Sequence, residues 1–313
     1  MTTKPSVLIA NRFHPETIQK LDEKFETHHL WNLSSDEKNN TIQKLQGKCE
    51  AIATASWMLD EMVYELDSLK MVSCFGVGVD AVNFEITRSR NIRVSNTPDV
   101  LNDAVADIAI ALVLATTRNI VQADRFVRKK EWSQGPFPFG MGLAGKTLGI
   151  LGCGRIGEEI ANRALTFGLK IAYHNRSPKD LPYSYYSSIA GLAETADILL
   201  CMLPGGEDTR NAINADILKK LGPSGIFINV GRGSSVDETA LAYALQERHI
   251  FAAGLDVYAD EPNVPEELLE MDNIVLLPHI GSATIETRRA MGQLVIDNLD
   301  AYFADKPLLT EVV

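Results

Sequence analysis

Short, unbroken apolar runs alternate with amphipathic stretches along almost the whole chain. Residues 7–10, 51–55, 71–75 and 92–95 read as strands, with a helical period over 15–25 after the first of them. A strand with one face in water alternates polar and apolar residues, whereas an unbroken apolar strand must be covered on both faces. Parallel sheets with crossover helices supply that cover, so the pattern predicts an α/β fold. Residues 101–130 form a long helical region, and Gly135-Pro136-Phe137-Pro138-Phe139-Gly140 then breaks the periodicity as a loop.

A second series starts at Lys146, with strands predicted at 147–151, 170–174, 198–202, 226–230, 253–257 and 274–277, six in all, enough for a complete dinucleotide-binding sheet. The last amphipathic stretch, 284–303, has no strand of its own to cover and is expected to return to the first unit. The expected fold is thus a Rossmann-type dinucleotide-binding domain, residues 100–285, plus a smaller flavodoxin-like α/β substrate domain. The smaller domain is discontinuous in sequence, built from 1–99 and 286–313. A length of 313 residues suits two such cores.

Composition removes several classes of function. Against 30 Lys and Arg stand 41 Asp and Glu, and a net charge of −11 repels a nucleic-acid backbone unless cations cluster. The run Arg128-Lys129-Lys130 stops at Glu131. Neither a secretory leader nor a span of about 18 apolar residues is visible, so a cytoplasmic protein without membrane or nucleic-acid partners is expected. Cys49, Cys74, Cys153 and Cys201 lack the paired spacing of metal ligands and read as reduced core thiols, with no metal expected.

Gly152-Cys153-Gly154-Arg155-Ile156-Gly157 satisfies the G-x-G-x-x-G pattern, which is weak alone because glycine is common in turns. Here it follows an apolar strand and opens a helical period over 155–167, the context its mechanism requires. Gly152 would allow the tight turn, Gly154 the approach of a diphosphate to the helix amides, and Gly157 close helix–strand packing. The next strand ends in His174-Asn175-Arg176-Ser177, with no carboxylate to accept the adenosine ribose hydroxyls. Arg176, helped by the Ser177 hydroxyl and the Asn175 amide, can hold a 2′-phosphate, so NADP(H) is expected over NAD(H).

Three late loops carry the residue types for reducing a 2-keto acid, which needs a cation on the carboxylate and carbonyl and an acid for the forming alkoxide. Arg232 lies in Val230-Gly231-Arg232-Gly233 after an apolar strand, and its planar fork suits a carboxylate–carbonyl pair. Glu261 follows the next strand and His279 the one after, so both leave the same sheet edge. A carboxylate beside an imidazole orients it and favours the imidazolium, which makes His279 the acid in reduction. Each residue alone could be an ordinary surface charge, cap or loop histidine. In the first unit, the turn Phe75-Gly76-Val77-Gly78-Val79-Asp80 is too short for a second fingerprint, but its amides could grip a carboxylate.

With these motifs in order, the chain resembles the D-isomer-specific 2-hydroxyacid dehydrogenases over essentially its whole length. The residues that carry the likeness are Asn96-Thr97-Pro98-Asp99-Val100-Leu101, the fingerprint from Gly152, Gly231-Arg232-Gly233, the segment from Asp256 to Pro262, and Pro278-His279-Ile280-Gly281-Ser282. The resemblance implies that Arg232, Glu261 and His279 are catalytic and that Val77 and Gly78 bind the substrate carboxylate. It also implies that Leu203, Pro204, Val230, Asp256 and Gly281 contact the cofactor. Asn102 departs from the threonine common among relatives. Asn175-Arg176-Ser177, Asp99-Val100-Leu101 and the stretch after Glu261 look most like the NADPH-using glyoxylate/hydroxypyruvate and hydroxyphenylpyruvate reductases. A homodimer formed through 101–140 is implied as well.

The expected reaction is NADPH-dependent reduction of a small 2-keto acid, glyoxylate or hydroxypyruvate, to the D-2-hydroxy acid. Alternatives are a reductase for a bulkier acid, hydroxyphenylpyruvate or 2-ketogluconate, and a dinucleotide-sensing protein of the corepressor type, which would show a peptide-binding surface or disordered extensions. Glu261 stands where formate dehydrogenases carry glutamine, and phosphoglycerate dehydrogenases usually prefer NAD and often append a regulatory domain. Trp57 and Met58 are candidates for the substrate pocket, Trp57 foremost, and Trp132 for the dimer contact.

Overall fold

A computed structural model describes residues 4–55 and 59–312, and the chain divides into two compact units, Met1–Leu101 with Thr284–Val313, and Asn102–Ala283. In the first unit β1 (Ser6–Ile9), α1 (Pro15–Lys24), β2 (Glu26–His29), α2 (Ser35–Lys44), β3 (Ala51–Ala55), β4 (Met71–Phe75), α3 (Phe84–Ser89) and β5 (Arg93–Ser95) follow in order. The strands pair in parallel as β2-β1-β3-β4-β5, the flavodoxin-like order. Leu8, Ile52, Val72, Cys74 and Val94 are completely buried in its core.

The sequence pattern did not reveal β2. Glu-Thr-His-His is polar because this edge strand pairs only with β1, and an edge can show polar side chains to water. The C-terminal helix, Ile285–Phe303, packs on β4 and α1, with the Ser73 hydroxyl donating to the Val295 carbonyl at 3.2 Å. Buried Asn298 fastens the tail beyond that helix by accepting from the Leu309 and Thr310 amides.

The second unit begins with α4 (Asn102–Thr117) and α5 (Ile120–Arg128), which the sequence suggested as one helix. The break falls at Asn119, in the left-handed region at φ 51°, a conformation asparagine tolerates better than most residues. Then come β6 (Thr147–Leu151), α6 (Arg155–Thr166), β7 (Lys170–His174), β8 (Ser184–Tyr185), α7 (Ile189–Thr195), β9 (Ile198–Cys201), α8 (Ala215–Leu221), β10 (Ile226–Asn229), α9 (Glu238–Gln246), β11 (Ala252–Leu255), α10 (Glu266–Leu269) and β12 (Ile274–Leu276).

All pairs in this seven-stranded sheet are parallel, ordered β12-β11-β10-β9-β6-β7-β8. Counted from β6, this is the doubly wound 3-2-1-4-5-6 order with one strand added. Six strands were expected, and the seventh, β8, is a two-residue edge too short to leave a periodic signal. Side chains alternate between two cores. Leu151, Leu199, Cys201 and Phe227 enter one, while Leu148, Ile150, Leu200 and Ile228 enter the other, which explains why the strands are apolar throughout. Arg163 of α6 joins Asp103 and Asp107 of α4 at 2.7 Å each. Cys49, Cys74, Cys153 and Cys201 are all buried free thiols. Among the described residues no single helix is long and apolar enough to cross a membrane.

Candidate active site

Order reverses in the second sheet at β6, whose neighbours β7 and β9 lie on opposite sides, and the chain leaving β6 therefore opens a crevice at the carboxyl ends of the strands. Gly152 occupies it at φ +88°, and a Cβ there would lie 2.8 Å from the Met202 carbonyl oxygen. Gly154 differs: a Cβ on it would meet nothing within 4 Å, so its missing side chain leaves open space beside the start of α6. No side chain caps that helix start. Open space in front of an uncapped helix N-terminus suits a diphosphate.

Asn175 is anchored to the glycine turn. Its Oδ1 accepts the Cys153 amide at 2.7 Å and its Nδ2 donates to the Cys153 carbonyl at 3.2 Å, so the side chain clamps that turn and keeps one Nδ2 hydrogen for a further acceptor. Arg176 and Ser177 are exposed, and Arg176 has no ion pair or side-chain hydrogen bond among the described residues. A cation so presented, with no acid competing for it, fits a 2′-phosphate. Leu203 is half-buried and Pro204 exposed just after β9, while Val230 is buried just past the end of β10.

Arg232 sits on a braced loop after β10. Buried Asn229 accepts the Gly231 amide at 3.1 Å and donates to the Arg232 carbonyl at 3.0 Å, which also accepts the Ser235 hydroxyl at 2.6 Å. Gly233 then passes against the loop after β11 so closely that a Cβ would lie 1.8 Å from the Tyr258 carbonyl carbon. Only glycine permits that approach, which joins the arginine loop to the glutamate loop.

Glu261 accepts the Tyr258 amide at 3.0 Å on Oε1, and its Oε2 lies 2.6 Å from His279 Nδ1. Burial pushes its carboxyl upward, but the hydrogen bond and charge of His279, the Tyr258 amide and the Arg232 charge together hold it below the usual carboxylate range. Beyond β12, His279 adopts φ 53°, a left-handed conformation that costs about 1–3 kcal/mol and persists only where its surroundings enforce it.

Asp256 does the enforcing. The His279 amide donates to the Asp256 carbonyl at 2.9 Å, and the Ile280 and Gly281 amides donate to its carboxylate at 2.8 Å each. Burial raises the Asp256 carboxyl in spite of those two amides. Glu238, whose carboxyl is likewise raised by burial, accepts the Ala259 amide at 2.9 Å, and Tyr258 donates its hydroxyl to the Leu277 carbonyl. Arg232, Glu261, Asp256, His279 and Gly281 thus belong to one hydrogen-bonded set of loops at the ends of β10, β11 and β12. Asn229, Glu238 and Tyr258 were not foreseen as its supports. A polar residue ending the apolar run 226–229 was the visible hint for Asn229.

Val77 and Gly78 follow β4 in the first unit, half-buried. Their turn is fixed by the Gly76 amide donating to Thr97 Oγ1 at 2.9 Å and by Asn96 Nδ2 donating to the Val77 carbonyl at 2.8 Å. Trp57 and Met58 lie outside the described residues.

A doubly wound parallel sheet that carries a glycine turn at its switch point and an arginine, a glutamate-paired histidine and a buried aspartate at neighbouring strand ends defines a dinucleotide-dependent oxidoreductase. Residues 110–281 match the D-isomer specific 2-hydroxyacid dehydrogenase, NAD binding domain, and the chain belongs to that family. It is 43% identical over 302 residues to glyoxylate/hydroxypyruvate reductase A HPR2 of Arabidopsis thaliana, covering 94% of each chain. To hydroxyphenylpyruvate reductase of Plectranthus scutellarioides it is also 43% identical, over 301 residues, covering 94% of this chain and 95% of the relative. Among solved structures, NADPH-dependent glyoxylate/hydroxypyruvate reductase of Sinorhizobium meliloti, in complex with NADP and malonate, superposes with a TM-score of 0.91 at 42% identity, covering 99% and 97% of the two chains.

Proposed function

We propose that this protein reduces small 2-keto acids, glyoxylate and hydroxypyruvate foremost, with NADPH, giving the D-2-hydroxy acid where C2 becomes a stereocentre. The observation that carries the reading is the 2.6 Å bond between Glu261 and His279 on loops braced to Arg232, in a chain 43% identical to a glyoxylate/hydroxypyruvate reductase. Residues 100–285 form the cofactor domain in this reading, and 1–99 with 286–313 the substrate domain. NADPH supplies the hydride when bound. The Gly152–Gly157 turn, with Cys153, Gly154, Arg155 and Ile156, receives the diphosphate, and Arg176 with Ser177 the 2′-phosphate. Asn175 serves by holding the turn, and Leu203, Pro204, Val230, Asp256 and Gly281 complete the cofactor contacts.

For the substrate, the amides of Val77 and Gly78 bind the carboxylate, and Arg232 polarises the keto oxygen so that charge developing there is stabilised. Glu261 fixes His279 through Nδ1, which assigns Nε2 as the atom that gives the proton to the alkoxide in reduction and removes it in oxidation. Glyoxylate, hydroxypyruvate, pyruvate, hydroxyphenylpyruvate and 2-ketogluconate, each assayed with NADPH and NADH, test the assignment. Glyoxylate and hydroxypyruvate should give the highest kcat/KM. Hydroxyphenylpyruvate at the top would replace this reading by that of the second relative, equally similar in sequence.

The working form in this proposal is a cytoplasmic homodimer joined through 101–140, without membrane or nucleic-acid partners. Its support is the exposure of Ile120, Val127, Trp132 and Phe139 in that stretch, large apolar groups of the kind association covers. Sedimentation should give a two-chain particle, and Val127→Lys combined with Trp132→Ala should give the monomer.

A further inference from the structure

Arg288 lies in the opening turns of the C-terminal helix, toward the end of the helix dipole that disfavours a cation. It is half-buried, with its guanidinium carbon 5.4 Å from the centre of the Phe75 ring. Burial alone holds it below the usual arginine range, and no neighbouring charge offsets that. Among the described residues it makes no ion pair and no side-chain hydrogen bond. The next residue, Arg289, is instead exposed and paired with Glu16. Keeping a partly desolvated cation without an anion is costly, and stacking on an aromatic ring returns only part of that cost.

Its location says which anion would repay that cost. Val295 of the helix meets Ser73 of β4 through a hydrogen bond, and Arg288, seven residues earlier, meets Phe75, two residues later in the strand. The helix therefore runs antiparallel to β4. Seven helical residues rise ~10 Å while two strand residues advance ~7 Å, which brings the guanidinium to the carboxyl end of β4. The Gly76-Val77-Gly78 turn leaves the strand there, held open by Thr97 and Asn96.

We propose that Arg288 is a substrate-binding residue whose guanidinium, together with the amides of Val77 and Gly78, binds the carboxylate of the 2-keto acid. The inference rests on the reading above that this turn takes the carboxylate. Amides alone orient an anion without neutralising it. Arg288 adds a full positive charge to that cradle.

The test uses the full-length protein with NADP bound, in wild-type form and as Arg288→Gln and Arg288→Lys. Oxalate binding is measured by titration calorimetry, and KM and kcat with NADPH for glyoxylate and hydroxypyruvate. Loss of one charged hydrogen-bond set predicts a rise of about ten- to a hundredfold in oxalate Kd and in KM for both acids in Arg288→Gln, with kcat within about threefold and the KM for NADPH unchanged. Arg288→Lys, which keeps the charge but not the fork, should lie between. Wild-type oxalate affinity and KM in either folded variant overturn the inference. So does a KM effect confined to hydroxypyruvate, which would place Arg288 on the hydroxymethyl group. A wild-type protein that turns over no 2-keto acid would sink the functional reading instead, and the oxalate titrations would still decide for or against Arg288.

Discussion

Replacing Gly233 by alanine should damage the catalytic loops and the fold together. The added Cβ would stand 1.8 Å from the Tyr258 carbonyl carbon, 2.1 Å from its oxygen and 2.3 Å from the Ala259 nitrogen, all main-chain atoms that no rotamer change can move aside. Ordinary contact begins near 3.4 Å, so the Arg232 and Glu261 loops must separate by about 1.6 Å. A misplacement of about 1 Å costs on the order of a hundredfold in rate, and overpacking of this kind about 1–3 kcal/mol. At about 2–4 °C per kcal/mol for a unit of this size, Tm should fall by roughly 2–12 °C. Gly154→Ala is the control, since its Cβ meets no protein atom within 4 Å. That variant should keep the wild-type Tm and lose NADPH affinity, because the space it fills is assigned to the diphosphate. Calorimetric melting and steady-state kinetics on both variants read the comparison. Wild-type Tm and kcat/KM in Gly233→Ala would refute the claim that this backbone contact sets the site.

Arg176→Ala should lower kcat/KM with NADPH by about ten- to a hundredfold and leave NADH turnover unchanged, and equal losses with both cofactors would contradict its assignment to the 2′-phosphate. His279→Gln should cost about 10²–10⁴ in kcat with modest change in NADPH binding, and near wild-type turnover would remove it as the proton donor. Glu261 has a folded-state carboxyl below its ordinary 4.5, so the stability it contributes is present above that value and disappears as pH falls through the lower folded value. Urea midpoints of wild type and Glu261→Gln should therefore differ by a constant amount near neutrality and draw together as pH falls from 4.5 through the lower folded value, whereas a gap that widens on acidification would show the opposite sign of coupling.

The local sequence determined what local chemistry can determine. Strands apolar on both sides had to lie in parallel sheets under helices, and glycines between a strand and a helix had to make a turn open to phosphate. Arginine, glutamate and histidine after successive strands had to reach one sheet edge. Tertiary structure decided what depends on a partner distant in the chain. Polar β2 becomes a strand because β1 lies beside it, and two-residue β8 because β7 does. That Asn175 also clamps the glycine turn depends on Cys153, 22 residues earlier, lying against its amide. The need for glycine at 233 comes from Tyr258, and the left-handed turn at His279 is held by Asp256. Periodicity records how a residue meets solvent and core. Contacts of a few ångströms between loops leave no period, so they exist only once the sheet has aligned the strand ends.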